Sequence, residues 1–167
     1  METIDIDEER TPLDRALGTV REAMTRDVLD LEPRMKVSEA ARELERAGIS
    51  GAPVVEHGRI VGMLTMKDVM KPAGASWQTH GPFLRHEHTL ADLEVQDAMT
   101  KDVVTADPDW PLGRAATIME AVGVNRLPVV DALERPVGIL TRDDIVRAVA
   151  RQSERAAHPS MWAKLVS

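Results

Sequence analysis

The chain contains an internal repeat, which constrains its fold more than any other feature because a missed repeat misassigns the whole architecture. When the sequence is shifted by 75 positions, residues 20–55 fall on residues 95–130, and 14 of these 36 positions are identical. Ordinary composition gives roughly two or three such matches by chance. The register then slips by one residue, and residues 61–71 match 137–147. Two copies of one structural unit are therefore present.

Both copies begin with the same order of predicted elements. A short extended segment that ends at a proline is followed by apolar residues at helical spacing over residues 37–47 and 112–122. We expect Ser38 to be the N-cap of the first of these helices. Gly48 and Gly123 come directly after the two apolar patterns, as glycines at helix ends do.

Two short apolar runs and a second helix complete each copy. In the first copy the runs are separated by His57-Gly58, a two-residue hairpin turn in which glycine supplies the positive φ. In the second copy a longer loop through residues 133–135 joins them. Thr65 and Thr141 are placed to open the closing helix. Each copy is thus predicted to be a β-α-β-β-α unit.

One such unit cannot cover both faces of its sheet, whereas two copies can bury their apolar faces against each other. We therefore expect an α/β (α+β) fold in which the tandem repeats pack through their sheets about a pseudo-twofold axis. A short helix is expected over residues 12–19, with Pro12 in its first turn. The predicted divisions are an N-terminal extension (1–19), a first repeat (20–71), a linker (72–94), a second repeat (95–150) and a C-terminal tail (151–167).

Composition excludes several classes of partner. The chain has three Trp, one Phe and no Tyr, and its formal net charge is −7. Nucleic-acid binding generally requires a basic footprint or aromatic stacking platforms, so no nucleic-acid partner is expected. The acidic start, METIDIDEER, lacks the order of a signal peptide. No apolar run approaches the roughly 18–20 residues of a membrane span. The expectation is a cytoplasmic protein without a membrane partner.

The stretches GISGAPVVEHGRIVGMLTMKDV and GVNRLPVVDALERPVGILTRDDI resemble the signature of the CBS (cystathionine-β-synthase-type) domain. They share Gly-h-x-x-h-Pro-Val-Val, a polar hairpin and h-Gly-h-h-Thr-x-x-Asp, where h is apolar. The upstream DAMT-x-DV and the first amphipathic helix also match. The resemblance covers about residues 20–71 and 95–150, and the ordered set, present twice, is far more specific than any one element.

The resemblance implies a pair of repeats with two clefts, commonly assembled as a homodimer. It implies binding of AMP, ADP, ATP, S-adenosylmethionine or an NAD-like ligand, and regulation of an enzyme, channel or transporter. We therefore expect a regulatory sensor with an adenosine-containing ligand, no required cofactor and a regulated partner protein that the sequence does not identify. A ligand-free dimerising scaffold with the same fold is the alternative.

An enzyme is not expected, because the sequence offers no catalytic set. It has no Gly-x-Ser-x-Gly elbow and no Walker loop. It also has no Cys, which removes thiolate chemistry and Cys-ligated zinc. His86-Glu87-His88 places two histidines on one face of a strand, but no third ligand is defined, so no metal site is predicted.

The repeated Thr-x-x-Asp allows two interpretations. Thr65 with Asp68, and Thr141 with Asp144, match a helix capping box in which the acid accepts backbone N–H groups. Alternatively, the carboxylate accepts the two ribose hydroxyls, as an acid does in dinucleotide-binding folds, beside a helix start that favours phosphate. The interpretations are compatible for Thr and compete for Asp. Ligand contact is expected for at least one Asp.

The resemblance places the adenine slot at the stretch after the first helix and at the first short strand. A purine needs two apolar faces and a few backbone hydrogen bonds. The other interpretation of these stretches is a helix end followed by a strand. The candidates are Ile49, Ala52, Pro53, Val28 and Leu29 for one cleft, and Val124, Leu127, Pro128, Val103, Val104 and Thr105 for the other.

Phosphate contacts require cations. Arg126 lies in VNRLPVV, which resembles the His-Arg-Leu-Pro stretch of adenylate-sensing CBS proteins, with Asn125 in place of that His. The resemblance implies that Arg126 contacts phosphate. Arg142 and Lys67 are further candidates, and exposed charges at helix ends are the other interpretation of both. Because the first copy has Gly51 where the second has Arg126, the two clefts are predicted to differ in ligand preference.

Overall fold

The computed structural model describes residues 12–70 and 93–157 of the 167-residue chain. The predictions for His86-Glu87-His88, for most of the linker and for the end of the tail lie outside these residues. The elements in chain order are α1 (Pro12–Leu17), α2 (Val20–Ala23), α3 (Val37–Ala47), β1 (Gly51–Glu56), β2 (Arg59–Thr65), α4 (Met66–Met70), α5 (Val95–Ala98), α6 (Leu112–Val122), β3 (Arg126–Val130), β4 (Pro136–Thr141) and α7 (Arg142–Ala157).

Each copy contains one two-stranded antiparallel sheet, as the mixed α/β prediction requires. β1 and β2 pair from Gly51↔Thr65 to Glu56↔Arg59. Their turn has φ values of 51° at His57 and 76° at Gly58. Positive φ at both central positions matches the right-handed twist of the flanking strands, and the predicted hairpin turn is confirmed.

The helix ends were predicted more accurately than the helix starts. Gly48 and Gly123 are left-handed, with φ of 64° and 74°, and end α3 and α6 as expected. The predicted N-cap Ser38 is wrong, because α3 begins at Val37 and its N-cap is Lys36, which makes no side-chain cap. The Val37 N–H instead donates to the Leu93 carbonyl at 2.8 Å, so a backbone acceptor from elsewhere in the chain satisfies this orphan donor.

The predicted first strand of each copy is only one bridge long. Leu31 forms a parallel bridge with Val54, and Ala106 forms one with Val129. The Leu31 N–H donates to the Pro53 carbonyl, and the Val55 N–H donates to the Leu31 carbonyl, both at 2.9 Å. The extended segment therefore lies along the first strand of its hairpin without forming a longer ladder.

The chain divides into two compact units. Of the described residues, the β1–β2 unit contains 27–70, 93–104 and 134–136, and the β3–β4 unit contains 12–26, 105–133 and 137–157. Each unit has its own core. The fully or nearly buried cluster of the β1–β2 unit is Leu31, Ala40, Leu44, Ala52, Val54, Leu64 and Val95. The corresponding cluster of the β3–β4 unit is Val20, Ala106, Leu112, Ala115, Met119, Leu127, Val129 and Leu140.

These units do not coincide with the repeats counted along the sequence. In the β3–β4 unit, Thr25 exchanges two backbone hydrogen bonds of 2.9 Å with Ile139. In the β1–β2 unit, Thr100 exchanges two of 2.9 Å with Met63. The Met-Thr segment that begins each sequence repeat therefore pairs with the hairpin of the other copy. Within the described ranges, no helix is long and apolar enough to cross a membrane.

Candidate ligand site at the starts of two helices

The first Thr-x-x-Asp lies where β2 passes into α4. Asp68 Oδ2 accepts hydrogen bonds from the Thr65 backbone N–H at 3.0 Å and from Thr65 Oγ1 at 2.8 Å. The Asp68 N–H in turn lies 3.3 Å from Thr65 Oγ1. Asp68 is only 9% exposed, which is unusual for a charged residue. Burial of a carboxylate is costly unless it is hydrogen-bonded, so this geometry fixes the side chain at the start of the helix.

The second Thr-x-x-Asp repeats this arrangement where β4 passes into α7. Asp144 Oδ2 accepts from the Thr141 N–H at 2.8 Å and from Thr141 Oγ1 at 2.9 Å, and Asp144 is 4% exposed. Asp144 also contacts an arginine on its own helix. The Arg147 guanidinium Nη2 lies 3.1 Å from Asp144 Oδ1 and forms a salt bridge, with the arginine side chain 63% exposed.

The capping interpretation is therefore confirmed for both aspartates, which accept the threonine backbone N–H groups, and for Thr65, whose Oγ1 accepts from the Asp68 N–H. In each copy the bonds to Thr65 or Thr141 reach a single oxygen, Oδ2, of the aspartate. A carboxylate has about four lone-pair sites on two oxygens. Capping does not by itself use the full acceptor capacity of either group, and contact with a ribose stays a prediction.

Backbone hydrogen bonds bring three predicted segments together in each unit. The Met66 N–H donates to the Ser50 carbonyl at 2.9 Å, which ties the start of α4 to the stretch after α3. The Arg142 N–H donates to the Asn125 carbonyl at 3.0 Å, which ties the start of α7 to the stretch after α6. In each unit the extended segment joins this arrangement through the backbone hydrogen bonds of one residue, which is Leu31 in the β1–β2 unit and Ala106 in the β3–β4 unit.

The predicted apolar residues differ in whether their side chains are accessible. Ala52 and Leu127 are fully buried within the two cores, so only their backbone is available to a ligand. Pro53 and Pro128 are also buried. Ile49 is partly exposed.

The remaining slot residues lie nearer the surface. Val28, Leu29, Val103, Thr105 and Val124 are half-buried. Val103 and the exposed Val104 lie in the β1–β2 unit, whereas Thr105 begins the next stretch of the β3–β4 unit.

The predicted cations have different surroundings. Lys67 is exposed on α4. Arg142 Nη2 lies 3.7 Å from Glu120 Oε2, and both side chains are exposed, so the pair is screened by solvent. Arg126 is half-buried, and burial lowers the pKa of its guanidinium. Desolvation disfavours the charged form of a base, which makes a nearby anion more valuable at Arg126 than at a fully hydrated arginine.

Two charged groups of this region were missed at the sequence level. Arg147 was not considered, although its position three residues after Asp144 puts both on one face of α7. Asp30 was not considered either. Burial raises the pKa of the Asp30 carboxyl above the ordinary 3.8. Asp30 occupies the position that corresponds to Thr105, so the shift of 75 would have shown this difference between the copies. Among the described residues, no group of three His, Asp or Glu side chains is arranged to hold a metal ion.

Comparison with known proteins shows which family this chain matches and which proteins are similar to it. The sequence profile of the CBS domain matches residues 20–73 and 95–151. The uncharacterized protein MJ1225 of Methanocaldococcus jannaschii is 32% identical over 127 residues, which are 76% of this chain and 45% of that protein. Inosine-5′-monophosphate dehydrogenase of the same organism is 33% identical over 141 residues, 84% of this chain and 25% of the enzyme. The chain thus spans less than half the length of these relatives.

Solved structures give the same result. The crystal structure of MJ1225 is similar with a TM-score of 0.67 and 31% identity, over 81% of this chain and 51% of that one. The CBS domain pair of protein MJ0100, in complex with 5′-methylthioadenosine and S-adenosyl-L-methionine, is similar with a TM-score of 0.65 and 27% identity, over 80% and 97% of the two chains. The protein CBSX2, in complex with AMP, has a TM-score of 0.65 and 26% identity over 80% and 97%.

Proposed function

Because the chain belongs to the CBS domain family, we propose that it is a regulatory module that binds an adenosine-containing ligand at the starts of α4 and α7. The observation that carries the proposal is the pair of buried carboxylates, Asp68 and Asp144, each of which accepts from the backbone N–H and the hydroxyl of its threonine. The structural relatives whose complexes contain AMP or S-adenosylmethionine support this class of ligand.

In this proposal the two ribose hydroxyls donate to the aspartate oxygens. Hydrogen bonds to a charged group contribute about 1.5–3 kcal/mol each, so a diol can give substantial affinity. The adenine lies against the partly exposed apolar side chains of the extended segment and of the stretch after the first helix. In the β1–β2 unit these are Val28, Leu29 and Ile49, and their partial exposure leaves apolar surface for a purine.

The phosphate of a nucleotide is assigned to cations near these helix starts. Arg126 and Arg142 are the candidates in the β3–β4 unit, and Lys67 is the candidate in the β1–β2 unit. The half-buried Arg126 favours an anion most, because burial has already removed part of its hydration. A phosphorylated ligand is therefore assigned to the second copy, and a less anionic adenosyl ligand to the first.

Regulation follows if the ligand binds one conformation of the module better than another. Occupancy then shifts the conformational equilibrium by no more than that difference in affinity, and a partner protein reads the altered surface. The proposal includes action as a homodimer in the cytoplasm, without catalysis by the module itself. Light scattering of the purified protein tests the dimer, and product analysis after incubation with ATP tests for turnover.

The direct test is calorimetric titration of the purified chain with adenosine, AMP, ADP, ATP, NAD and S-adenosylmethionine, with GMP as the matched control for the base. At least one adenosyl ligand is expected to bind saturably and to raise the melting temperature through mass action, while GMP does not. If none binds, the module is a ligand-free scaffold and the proposal is wrong. Comparison of AMP with adenosine isolates the contribution of the phosphate.

A further inference from the structure

The thioethers of Met24 and Met99 occupy matching positions of the two copies, and each lies against a glycine of a hairpin strand. Met24 packs on Gly138 in β4, and Met99 packs on Gly62 in β2. A Cβ on Gly138 would lie 2.7 Å from Met24 Sδ, and a Cβ on Gly62 would lie closer still to Met99 Sδ. Non-bonded atoms pack best at about 3.5–4.0 Å, so each sulfur fills the space that a side chain on the glycine would need.

The residue after each methionine fixes the same strand through the backbone. Thr25 exchanges two hydrogen bonds of 2.9 Å with Ile139, and Thr100 exchanges two of 2.9 Å with Met63. Each Met-Thr pair therefore holds its hairpin strand by two hydrogen bonds and one thioether contact. These two arrangements, Met24-Thr25 on β4 and Met99-Thr100 on β2, are called the Met-Thr clamps below.

The sulfurs of the clamps lie at the edges of the cores, where a small oxidant has access. Met24 and Met99 are half-buried and pack against the core clusters, and the neighbouring Thr25 and Thr100 are exposed. Met119, in contrast, is only 1% exposed. The chain has nine Met and no Cys, so its thioethers are the sulfur groups open to oxidation.

A hydroperoxide oxidises a thioether by transferring one oxygen atom. The sulfur lone pair attacks a peroxide oxygen, the O–O bond breaks, an S–O bond forms, and water or an alcohol leaves. The sulfur is oxidised by two electrons, and the peroxide is reduced by two. The apolar thioether becomes a polar, chiral sulfoxide, and enzymes that reduce methionine sulfoxide reverse the change.

The surroundings of the clamp sulfurs disfavour a sulfoxide. The Thr25 carbonyl oxygen would lie 2.8 Å from a Cβ on Gly138, and the Thr100 carbonyl oxygen 3.1 Å from a Cβ on Gly62. A carbonyl oxygen is an acceptor, and so is a sulfoxide oxygen, so this neighbour does not satisfy the new group. Because a polar atom without a hydrogen bond is costly to bury, the oxidised side chain favours the undocked segment.

We propose that Met24 and Met99 are sites of oxidation by a hydroperoxide, and that sulfoxide formation releases the Met-Thr clamps and weakens adenosine binding. β2 runs from the clamped glycine to Thr65, and β4 runs from its clamped glycine to Thr141, over three residues in each case. A released clamp thus frees the strand that carries the capping threonine. Release follows from the packing alone, whereas the effect on adenosine rests on the proposed function.

The test treats the full chain with hydrogen peroxide, locates the sulfoxides by peptide mass spectrometry and measures the melting temperature. Oxidation of Met24 and Met99 is expected to lower the melting temperature by about 4 °C or more. The Met24→Leu/Met99→Leu variant fills the same space with side chains that take up no oxygen, and such an exchange costs little stability. This variant should keep its melting temperature in peroxide. Met70→Leu, which removes a methionine that is 76% exposed, is the matched control and should respond as the wild type does.

An equal fall in melting temperature in the wild type and the double variant would overturn the proposal, because half-buried methionines outside the clamps, such as Met35 and Met66, would then be responsible. Sulfoxides at Met24 and Met99 without any fall would also overturn it. The single variants Met24→Leu and Met99→Leu should each lose part of the response, and they decide the question if the double variant does not fold.

Titration with adenosine before and after peroxide treatment tests the link to the ligand site. The oxidised wild type is expected to bind adenosine several-fold more weakly, while the double variant binds it as before. Equal affinity before and after oxidation would contradict the link. Absence of adenosine binding by the untreated protein would instead contradict the proposed function, and the melting temperatures would still decide whether oxidation releases the clamps.

Discussion

The starts of α4 and α7 are two copies of one structure with different charges around them. Thr65 with Asp68 and Thr141 with Asp144 make the same capping contacts within a few tenths of an ångström. In the second copy, Arg147 forms a salt bridge with Asp144, and the first copy has another base, Lys71, at the corresponding position of the sequence. The comparison shows that the repeat preserves what the backbone needs, which is a capped helix start.

The two copies differ in the two other segments of each site. At the strand start, the first copy has Gly51 and the second has the half-buried Arg126. In the extended segment, the first copy has Asp30, whose pKa burial raises, and the second has the uncharged Thr105. The first site is thus more acidic and the second more basic, which is the physical basis for assigning a phosphorylated ligand to the second.

The largest expected effect concerns the close packing around Gly138 and Gly62, which are matching positions of the two copies. A Cβ on Gly138 would lie 2.8 Å from the Thr25 carbonyl oxygen, whereas a Cβ on Gly62 would lie 3.1 Å from that of Thr100. Both would also press on a methionine side chain. Gly138→Ala is expected to destabilise the protein by about 1–3 kcal/mol, as overpacking does, and Gly62→Ala by less. Urea denaturation measures both. Equal stability of Gly138→Ala and wild type would contradict this packing.

The next effect concerns phosphate recognition by the second copy. Arg126→Gln is expected to weaken AMP binding by about tenfold to a hundredfold, the value of a charge-assisted hydrogen bond. Adenosine binding should be unchanged, since adenosine carries no phosphate. Calorimetry with both ligands makes the comparison, and Arg59→Gln controls for net charge. A parallel loss of adenosine and AMP affinity would mean that Arg126 does not act on the phosphate.

A smaller effect is expected when the salt bridge between Arg147 and Asp144 is removed. Arg147→Gln frees the Asp144 oxygen that now accepts from the guanidinium. Because the arginine is mostly exposed, stability should fall by no more than about 0.5 kcal/mol. Adenosine affinity, measured by calorimetry in an Asp68→Asn background, should rise by a few-fold. A decrease would show that Arg147 assists the ligand.

The smallest effect is a pH dependence confined to the first copy. Burial raises the folded-state pKa of Asp30 above 3.8, so its ionised form costs stability at neutral pH, and this cost is relieved as the pH falls toward 3.8. Asp30→Asn should therefore be slightly more stable than wild type near neutrality, with a difference that shrinks on acidification. Denaturation at several pH values measures it, with Asp27→Asn, which removes an acid that is exposed like Asp30, as the control. A difference that does not change with pH would contradict this cause.

Local sequence signals predicted the local structure well. The left-handed glycines Gly48 and Gly123 and the His57-Gly58 turn follow from backbone preferences that act within a few residues. The Ser38 N-cap was wrong because α3 begins before it, at Val37, whose N–H donates to the carbonyl of Leu93, 56 positions away. Contacts at such separation leave no trace in periodicity.

Contacts between distant positions also explain why the sequence did not predict which segments belong to each compact unit. The pairing of Thr25 with Ile139, and of Thr100 with Met63, joins each repeat's first segment to the other copy's hairpin. Counting identities along the chain finds the repeat but cannot assign a segment to a unit.

The claim that the two buried carboxylates are ribose acceptors of unlike sites is tested most directly by titrating AMP into wild type, Asp68→Asn and Asp144→Asn. Each variant keeps the size of the side chain, and circular dichroism checks that the fold is intact. The account predicts that each substitution abolishes one component of the isotherm, with the component of higher AMP affinity lost in Asp144→Asn. Three superimposable isotherms would contradict it.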